Sequence, residues 1–432
     1  MDISKAFSKY VELLAPVLAH ADRREPFTDY CTGLLLEGKR KSVEPMAARL
    51  EPRAVSAKHQ SLHHFVSRAD WSDEAMLSAV RQGVLPVLCK RERVRAWIVD
   101  DTGFPKQGRH SVGVARQYCG QLGKQDNCQV AVSVSVASTA ASLPIAYQLY
   151  LPEEWAQDRV RRTKAGVPDT VGFVTKPQMA VAMIRKAVED QVPVGVVLAD
   201  AGYGNDSKFR EALTKMGLSY AVGVQHSMTV WPHGCGPLPP KPSADGATGR
   251  PRTLLRRDPT QPPINLKQLA LGLSARAFKT LSWREGEAGW LTSRFARVRV
   301  RSAHRDYWRS KPHPEQWLLI EWPSGETEPT KYSLNTLPTT TTLKEMVEIT
   351  KLRWRIERDY QDLKQEIGLG HFEGRGWRGF HHHATLSIAA YGFLMLRRAN
   401  ERAKKNSAVW PDLPPVPEGF RPRGAPRPHS TS

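Results

Sequence analysis

The sequence predicts an α/β protein with a helical N-terminal region, and three observations support this fold class. Apolar residues recur at helical spacing from the N-terminus to about residue 92. From Val94 the pattern changes to that of strands, and the alternation of valine with alanine and serine over residues 129–137 is typical of a strand with one buried face. The almost wholly apolar run 194–199 is typical of a strand inside a parallel sheet.

In the N-terminal region, proline, glycine and aspartate breaks separate four predicted helices, which cover residues 4–20, 27–38, 55–68 and 72–83. Residues 37–42 (EGKRKS) form a basic turn between two of them. A basic turn between helices suits contact with nucleic-acid phosphates, and a solvated loop is the alternative.

The central region alternates strands and helices. Strands are predicted over residues 95–101, 112–118, 129–137, 143–151, 194–200 and 219–224, with helices over 177–191 and 207–216. Two of these strands end in acids, the first in Asp100 and Asp101 and the fifth in Asp200. Residues 230–265 are rich in proline, glycine and arginine and predict a linker. Strand-like runs at 295–301 and 315–322 predict a β-rich insertion with a basic face.

A predicted helix near the C-terminus carries an unusual group of charges. At 3.6 residues per turn, one apolar stripe is formed by Ile349, Leu352, Ile356, Tyr360, Leu363 and Ile367. Arg353, Glu357 and Lys364 lie along one edge of this stripe, whereas Asp359 lies on its other border and Asp362 and Arg358 point away. Glu357 is therefore the carboxylate of this helix with two cations on its own side, which makes it a candidate site residue.

Composition favours a polyanionic partner. The formal net charge is +20, and an excess of this size indicates nucleic acid first and an anionic membrane second. No run approaches the roughly 18 apolar residues that span a bilayer, and charges interrupt residues 1–27, where a signal peptide would be apolar. We therefore expect a soluble, intracellular protein.

Cysteine and histidine patterns do not indicate a metal site. The five cysteines are scattered without a C-x2-C pair, which favours reduced, structural thiols. His381, His382 and His383 are consecutive, so they cannot converge on one ion from a helix or a strand. We interpret them as an exposed or phosphate-contacting run.

The spacing of Arg353, Glu357 and Lys364 resembles the Y-x2-R-x3-E-x6-K signature of bacterial cut-and-paste transposases of the DDE type, with Thr350 in place of the tyrosine. Residues 100–103 (DDTG) and 198–204 (LADAGYG) match two further motifs in that family's order. The resemblance extends from about Val94 to Phe393. It implies an RNase H-like (retroviral-integrase-like) catalytic core with a β-rich insertion, preceded by a helical N-terminal domain.

On this resemblance the chain divides into five regions. These are a helical DNA-binding domain (1–92), the first part of the core (93–232), a linker with the β-rich insertion (233–340), the final part of the core with the Glu-bearing helix (341–400), and a basic, Pro-rich, disordered tail (401–432).

The resemblance also implies a metal-binding triad of Asp101, Asp200 and Glu357. Asp100 is the alternative first acid, because neighbouring strand residues face opposite ways. Converging carboxylates require cations, and two Mg²⁺ ions, replaceable by Mn²⁺, would activate the attacking oxygen of a phosphodiester displacement. Taken separately, the acid pair also fits a polar strand end, and Asp200 a turn or cap.

Further residues are expected to contact DNA. Arg353 and Lys364 match family positions that hold phosphates, although Arg353 also suits a structural ion pair with Glu357. Lys106 and Arg109 follow the first acid, and they either contact the DNA backbone or belong to an exposed hairpin. The aromatic residues of the insertion suit either stacking on an extruded base or the filling of a core. They are Trp290, Tyr307 and Trp308.

We therefore expect a DNA transposase of an insertion sequence, located in the cytoplasm at the nucleoid. It would bind terminal inverted repeats and target double-stranded DNA as a homodimer, without a membrane partner. Mg²⁺-dependent hydrolysis would free a 3′-hydroxyl that then attacks the target. The alternatives are a structure-specific nuclease without strand transfer and a non-catalytic DNA-binding protein of the same fold.

Overall fold

The computed structural model of the chain describes residues 3–90, 92–241, 252–286 and 289–402. These residues form two compact units. One unit contains the described residues of Met1–Arg95, Val99–Pro193 and Trp354–Ser432, and the other those of Ala96–Ile98 and Val194–Arg353. Residues 242–251 of the predicted linker and all but the first two residues of the predicted tail (401–432) lie outside the described residues.

The first unit begins with helices. They are α1 (Ile3–Leu14), α2 (Arg24–Leu35), α3 (Val43–Leu50), α4 (Val55–Ser67) and α5 (Asp73–Cys89). The four predicted helices are confirmed, with shifted ends. The pattern does not predict α3, which spans only two turns and carries Pro45 in its first turn, where a proline leaves no helical hydrogen bond unmade.

Four strands of the first unit follow the predicted order. They are β1 (Ala96–Pro105, whose first three residues belong to the second unit), β2 (Ala115–Cys119), β3 (Lys124–Ala137) and β4 (Ser142–Leu149). The long β3 pairs antiparallel with β2 and with β4, and β1 is its other neighbour. Hydrogen bonds from Arg95 N to Ala137 O and from Lys106 N to Asn127 O flank β1. The side chains of β3 are buried from Cys128 onward, as the alternation predicts for one face, and the second face is covered as well.

The remaining helices of the first unit are α6 (Glu153–Gln157), α7 (Arg159–Ala165), α8 (Lys176–Glu189), α13 (Trp354–Gln361), a π-helix (Asp362–Ile367) and α14 (Trp377–Arg402). The prediction of one continuous helix over residues 349–367 is wrong. The chain turns at Leu352 and Arg353, and after Gln361 the helix widens into the π-helix. The apolar stripe is nevertheless buried at Leu352, Ile356, Tyr360, Leu363 and Ile367.

Asp362 corrects a second detail of the helical projection. It was predicted to point away from the stripe, but its side chain is buried and pairs with Arg358 at 3.2 Å and with Arg398 at 3.6 Å. A π-helix has more residues per turn than an α-helix, so positions after Gln361 leave the 100° projection. The two arginines offset the cost of burying this carboxylate.

Helix α14 is the central helix of the first unit, and it contacts α2, α4, α5 and β4. Its three consecutive histidines are all buried, so the interpretation of an exposed or phosphate-contacting run is wrong. His381 Nδ1 lies 2.9 Å from Trp377 O, and His383 Nε2 lies 3.0 Å from Gly368 O. His382 stacks on Trp71 with 3.6 Å between ring centroids. A helix covered on all sides buries consecutive residues whatever their polarity, provided that each finds a hydrogen-bond partner.

The second unit contains the parallel strands and the insertion. Its strands are the start of β1, β5 (Val196–Ala199), β6 (Tyr220–Val224), β7 (Thr229–Pro232), β8 (Ile264–Asn265), β9 (Lys279–Gly286), β10 (Gly289–Ser302), β11 (Glu315–Trp322) and β12 (Lys331–Asn335). Its helices are α9 (Ala201–Gly204), α10 (Ser207–Lys215), α11 (Leu266–Leu271) and α12 (Leu343–Lys351).

Pairing within the second unit confirms a β-rich insertion. Residues Ala96–Ile98 pair in parallel with β5, and β5 pairs in parallel with β6. From β6 the order continues through β12, β11 and β10, all antiparallel, and β10 also pairs with β7 and β9. A core of Phe295, Leu319, Leu337, Met346 and Val347 joins the insertion to α12.

The order of elements along the chain is the predicted one: antiparallel strands, a helix, a parallel strand, helices, a further strand, the insertion and the Glu-bearing helix. The predicted α/β class is therefore confirmed. In the described part of the chain, no helix is both long and apolar enough to cross a membrane. The five cysteines are all free thiols.

Candidate active site

The acid pair interrupts the buried part of β1, which resumes at Thr102 and continues to Phe104, so the prediction that the first strand ends in the acids is wrong. Residues from Ala96 to Val99 are buried, whereas Asp100 and Asp101 are both half-buried. The Oδ1 atom of Asp100 accepts a hydrogen bond of 2.9 Å from the backbone N–H of Asp101. The Oδ2 atom of Asp101 lies 2.9 Å from the ammonium group of Lys176. The carboxylate of Asp100 thus accepts a hydrogen bond from the local backbone, and the carboxylate of Asp101 pairs with a cation.

Lys176 contacts a candidate acid, and the sequence did not predict this contact. It is the first residue of α8, and a capping box positions it: Thr175 accepts from the N–H of Gln178 and donates its own N–H to the Gln178 side chain at 2.8 Å. Its ammonium group also lies 5.7 Å from the ring centroid of Tyr150. The T-x-x-Q pattern marks the helix start in the sequence, but the partner of the lysine is 75 residues away.

Glu357 lies in the first turn of α13 and is exposed. The adjoining buried side of this helix is held by polar contacts of Tyr360. The Tyr360 hydroxyl lies 2.7 Å from Ser133 Oγ on β3 and 3.5 Å from the carbonyl oxygen of Asp100 on β1. Since Tyr360 is one turn after Glu357, this contact fixes the Glu-bearing helix to the strand that carries the first acid.

Asp359 provides a second buried attachment of α13. Its Oδ1 atom accepts hydrogen bonds from Ser142 Oγ at 2.5 Å and from the Tyr391 hydroxyl at 2.9 Å. Burial raises the pKa of Asp359 to about 6, while the two hydroxyl donors and Arg355 oppose the rise. Asp359 therefore serves to anchor the helix, and its carboxylate is not offered to solvent.

The two cations of the signature are in different settings. The Lys364 ammonium donates to Gly103 O at 2.7 Å and to Gln121 Oε1 at 3.1 Å, and it lies 4.8 Å from the ring centroid of Phe104. Burial lowers the pKa of Lys364 to about 8. Lys364 thus contacts β1 two residues beyond Asp101. Arg353 is half-buried at the turn before α13.

Asp200 follows β5 in the second unit and caps the short helix α9. Its Oδ1 atom accepts from the N–H groups of Gly202 at 2.9 Å and Tyr203 at 3.4 Å. The motif requires glycine at position 204, because a Cβ atom there would lie 1.9 Å from the carbonyl oxygen of Gly223. Close packing of α9 on β6 therefore explains much of the LADAGYG pattern.

Divalent metal would suit these acids, since Mg²⁺ prefers oxygen ligands and is often held by one or two carboxylates together with substrate phosphates. The carboxylate of Asp101 fits the role of a metal ligand, because it already contacts a cation, the ammonium group of Lys176. Among the residues that the structure describes, no group of three or more His, Cys, Asp or Glu side chains forms a ready metal site. Asp101 and Glu357 belong to the first unit and Asp200 to the second.

The other residues that were predicted to contact DNA lie on the surface or line a cavity. Lys106 donates to Phe372 O at 3.0 Å, and Arg109 is exposed. In the insertion, Trp290 is 66%, Tyr307 42% and Trp308 60% exposed. The alternative that these aromatic residues fill a core is therefore wrong. Guanidinium groups lie over two of them, with Arg257 5.1 Å from the Tyr307 ring centroid and Arg305 5.0 Å from that of Trp308.

Comparison with known proteins identifies the family of the chain. The family model "DDE superfamily endonuclease" matches residues 13–289, and the chain belongs to this family. An RNase H-like core is the fold that this membership implies, and the order of elements agrees with it.

A curated relative from Microchaete diplosiphon, "Probable transposase for insertion sequence element IS701", is 32% identical over 203 residues. The match includes 46% of this chain and 49% of the relative. The chain thus spans about half the length of the curated relative that it matches.

Proposed function

We propose that the protein is the DNA transposase of an insertion sequence, which cleaves DNA at terminal inverted repeats and joins the freed 3′-end to a target. The observation that carries the proposal is the Tyr360 hydroxyl, which ties the helix of Glu357 to the carbonyl oxygen of Asp100, beside the acid Asp101. Two acids that the family signature requires are thereby held on elements in direct contact. Membership of an endonuclease family and likeness to a probable transposase support the same function.

In this proposal Asp101, Asp200 and Glu357 are the catalytic, metal-binding acids, and Asp100 is a further candidate ligand. Two Mg²⁺ ions, or Mn²⁺ in their place, would supply Lewis-acid activation of the attacking oxygen and stabilise the leaving one. Asp101 would exchange its contact with Lys176 for metal. Lys176 would then be available to a phosphate of the bound strand.

Lys364 has a positioning role in this proposal. Its ammonium group holds Gly103 O at 2.7 Å, so it fixes the course of β1 just after Asp101. Because burial lowers its pKa to about 8, the charge that it presents near DNA depends on pH in the slightly alkaline range. Together with Lys364, the side chains of Arg353, Lys106 and Arg109 would contact the DNA backbone.

The wider DNA surface includes the N-terminal helices and the insertion. The net charge of +20 supports a polyanionic partner. The exposed Trp290, Tyr307 and Trp308 suit stacking on an unpaired base. Work on two transposon ends requires both to be held together, so we propose a homodimer on DNA in the cytoplasm, at the nucleoid.

The experiment is cleavage of a supercoiled plasmid that carries the flanking ends of the source element, with Mg²⁺. Wild type is compared with Glu357→Gln and with Glu366→Gln, a matched control whose carboxylate is exposed in the following π-helix. We expect cleavage and joining by wild type and Glu366→Gln, and loss of both in Glu357→Gln.

Other outcomes separate the alternatives. Equal activity of Glu357→Gln would refute the role of the third acid. Cleavage without joining would identify a structure-specific nuclease. Binding of the ends without cleavage by any protein would identify a non-catalytic DNA-binding protein.

A further inference from the structure

A basic cavity in the first unit lies beyond the end of β1. Its volume is about 540 Å³. Three segments far apart in the sequence line it, namely Arg40 from the turn between α2 and α3, residues 105–111, and residues 370–375. Residue 105 is the last residue of β1, four after Asp101, which corresponds to roughly 13 Å along an extended strand.

The cavity carries an excess of positive charge and of N–H donors. Its cationic or imidazole side chains are Arg40, Lys106, His110, His371 and Arg375. Glu373 is the carboxylate among the lining residues, and it is paired with Arg40. Glu373 also acts on the charge of Lys106, so one carboxylate faces three cationic side chains of the lining, Arg40, Lys106 and Arg375, and the cavity keeps a net positive charge. Such a set of donors fits an anion with several oxygen atoms.

His371 has a fixed tautomer that gives the cavity another donor. The backbone N–H of Lys41 donates to His371 Nδ1 at 3.0 Å, so the proton of the neutral ring is on Nε2. Burial, together with Lys41 and Arg40, lowers the pKa of His371, and the ring is neutral at pH 7. Among the described residues no acceptor is found for Nε2–H.

The walls of the cavity are held by backbone hydrogen bonds and are therefore preformed. Val112 N donates to Arg375 O at 3.0 Å, and His371 N donates to Gly368 O at 2.8 Å. The Asn127 side chain donates to Gly108 O at 3.0 Å. A preformed site loses little conformational entropy when it binds a ligand.

We propose that this cavity binds a backbone phosphate of the DNA, a few nucleotides from the phosphate that is cut, with Arg375 and His371 Nε2–H as its main donors. The inference rests on the proposed function for the identity of the anion. The cavity follows directly from the strand of Asp101, so a DNA strand at the candidate active site is the nearest source of phosphate. Loss of the cation Arg375 should change the salt dependence of DNA binding, whereas loss of the neutral donor His371 should not.

The test measures binding to a fluorescently labelled, random-sequence DNA duplex in EDTA, as a function of salt. Arg375→Gln is expected to weaken binding about tenfold near 0.1 M salt and to reduce the slope of log K against log salt by about 1. His371→Asn keeps an acceptor for Lys41 N–H but loses the distal donor. It is expected to weaken binding about fivefold without a change of slope.

The matched control is Arg185→Gln, which removes the same charge from an exposed position on α8. Its binding is expected to equal that of wild type. Equal losses in Arg185→Gln and Arg375→Gln, or no loss in Arg375→Gln, would overturn the cavity as a phosphate site. Because the assay contains no metal, a protein that does not cleave still reports on the cavity. Failure of the wild type to bind DNA would overturn both proposals.

Discussion

The ammonium group of Lys176 lies 2.9 Å from the Oδ2 atom of Asp101, on side chains that are each 27% exposed. The proposed first metal ligand is therefore held by a cation of the protein itself. The pair is close enough to solvent that its free energy is modest, of order 0.2–1 kcal/mol. A contact of this strength is readily exchanged for a divalent ion.

Replacement of Lys176 by methionine should strengthen metal binding. We expect Lys176→Met to lower the apparent dissociation constant for Mn²⁺ about two- to fivefold, because the ammonium no longer competes for Asp101. The measurement is a calorimetric titration with Mn²⁺. Lys186→Met is the control, since Lys186 lies on the same helix but pairs with Asp190 at 2.8 Å. Weaker Mn²⁺ binding by Lys176→Met would contradict the competition.

The hydrogen bond between Tyr360 and Ser133 should appear as coupling in a double-mutant cycle. Tyr360→Phe removes the partner of the buried Ser133 hydroxyl, and Ser133→Ala leaves the Tyr360 hydroxyl with only its 3.5 Å contact to Asp100 O, so each is expected to cost about 1–2 kcal/mol of unfolding free energy. The double variant should lose about 1 kcal/mol less unfolding free energy than the sum of the two single losses. Urea denaturation measures all four proteins. Tyr118→Phe, at a side chain that is 58% exposed, should be neutral, and strict additivity would refute the coupling.

Asp359 should make the protein less stable at neutral pH than at mildly acidic pH. Its pKa is raised by burial to about 6, so the folded state holds the proton more tightly than the unfolded state. Its contribution to stability therefore rises as the pH falls from about 7 to 4. In Asp359→Asn we expect this part of the pH dependence to vanish, as measured by melting temperature across that range. An unchanged pH profile would refute ionisation of this group.

The buried histidines should act in the opposite direction. Burial lowers the pKa of His383 to about 4, so the unfolded state binds its proton first. The stabilising contribution is complete above pH 6.5 and is lost as the pH falls toward 4. His383→Gln, which keeps a donor for Gly368 O, should flatten the fall of melting temperature between pH 6.5 and 4. His20→Gln, at an exposed histidine, should leave the fall of melting temperature unchanged. If His20→Gln also flattened this fall, the attribution of the pH dependence to His383 would be contradicted.

The sequence by itself determined the fold class and the order of the acids. The alternation of apolar and small residues over β3 and the apolar run of β5 are local patterns, and such patterns determine which side chains become buried on folding. The buried stripe of the Glu-bearing segment was likewise correct at Ile356 and Leu363 even though the helix is broken. The roles of Asp101, Asp200 and Glu357 are still predictions.

Only the tertiary structure decided which partners the polar residues meet. Asp101 contacts Lys176, which is 75 residues away in the sequence. Lys364 donates to Gly103 O, and the three histidines of α14 lie in a core instead of on a surface. Each of these contacts joins elements that are distant in sequence. Periodicity reports which face of one element is apolar, but the partner of a buried charge depends on how separate elements pack, and that information is not local.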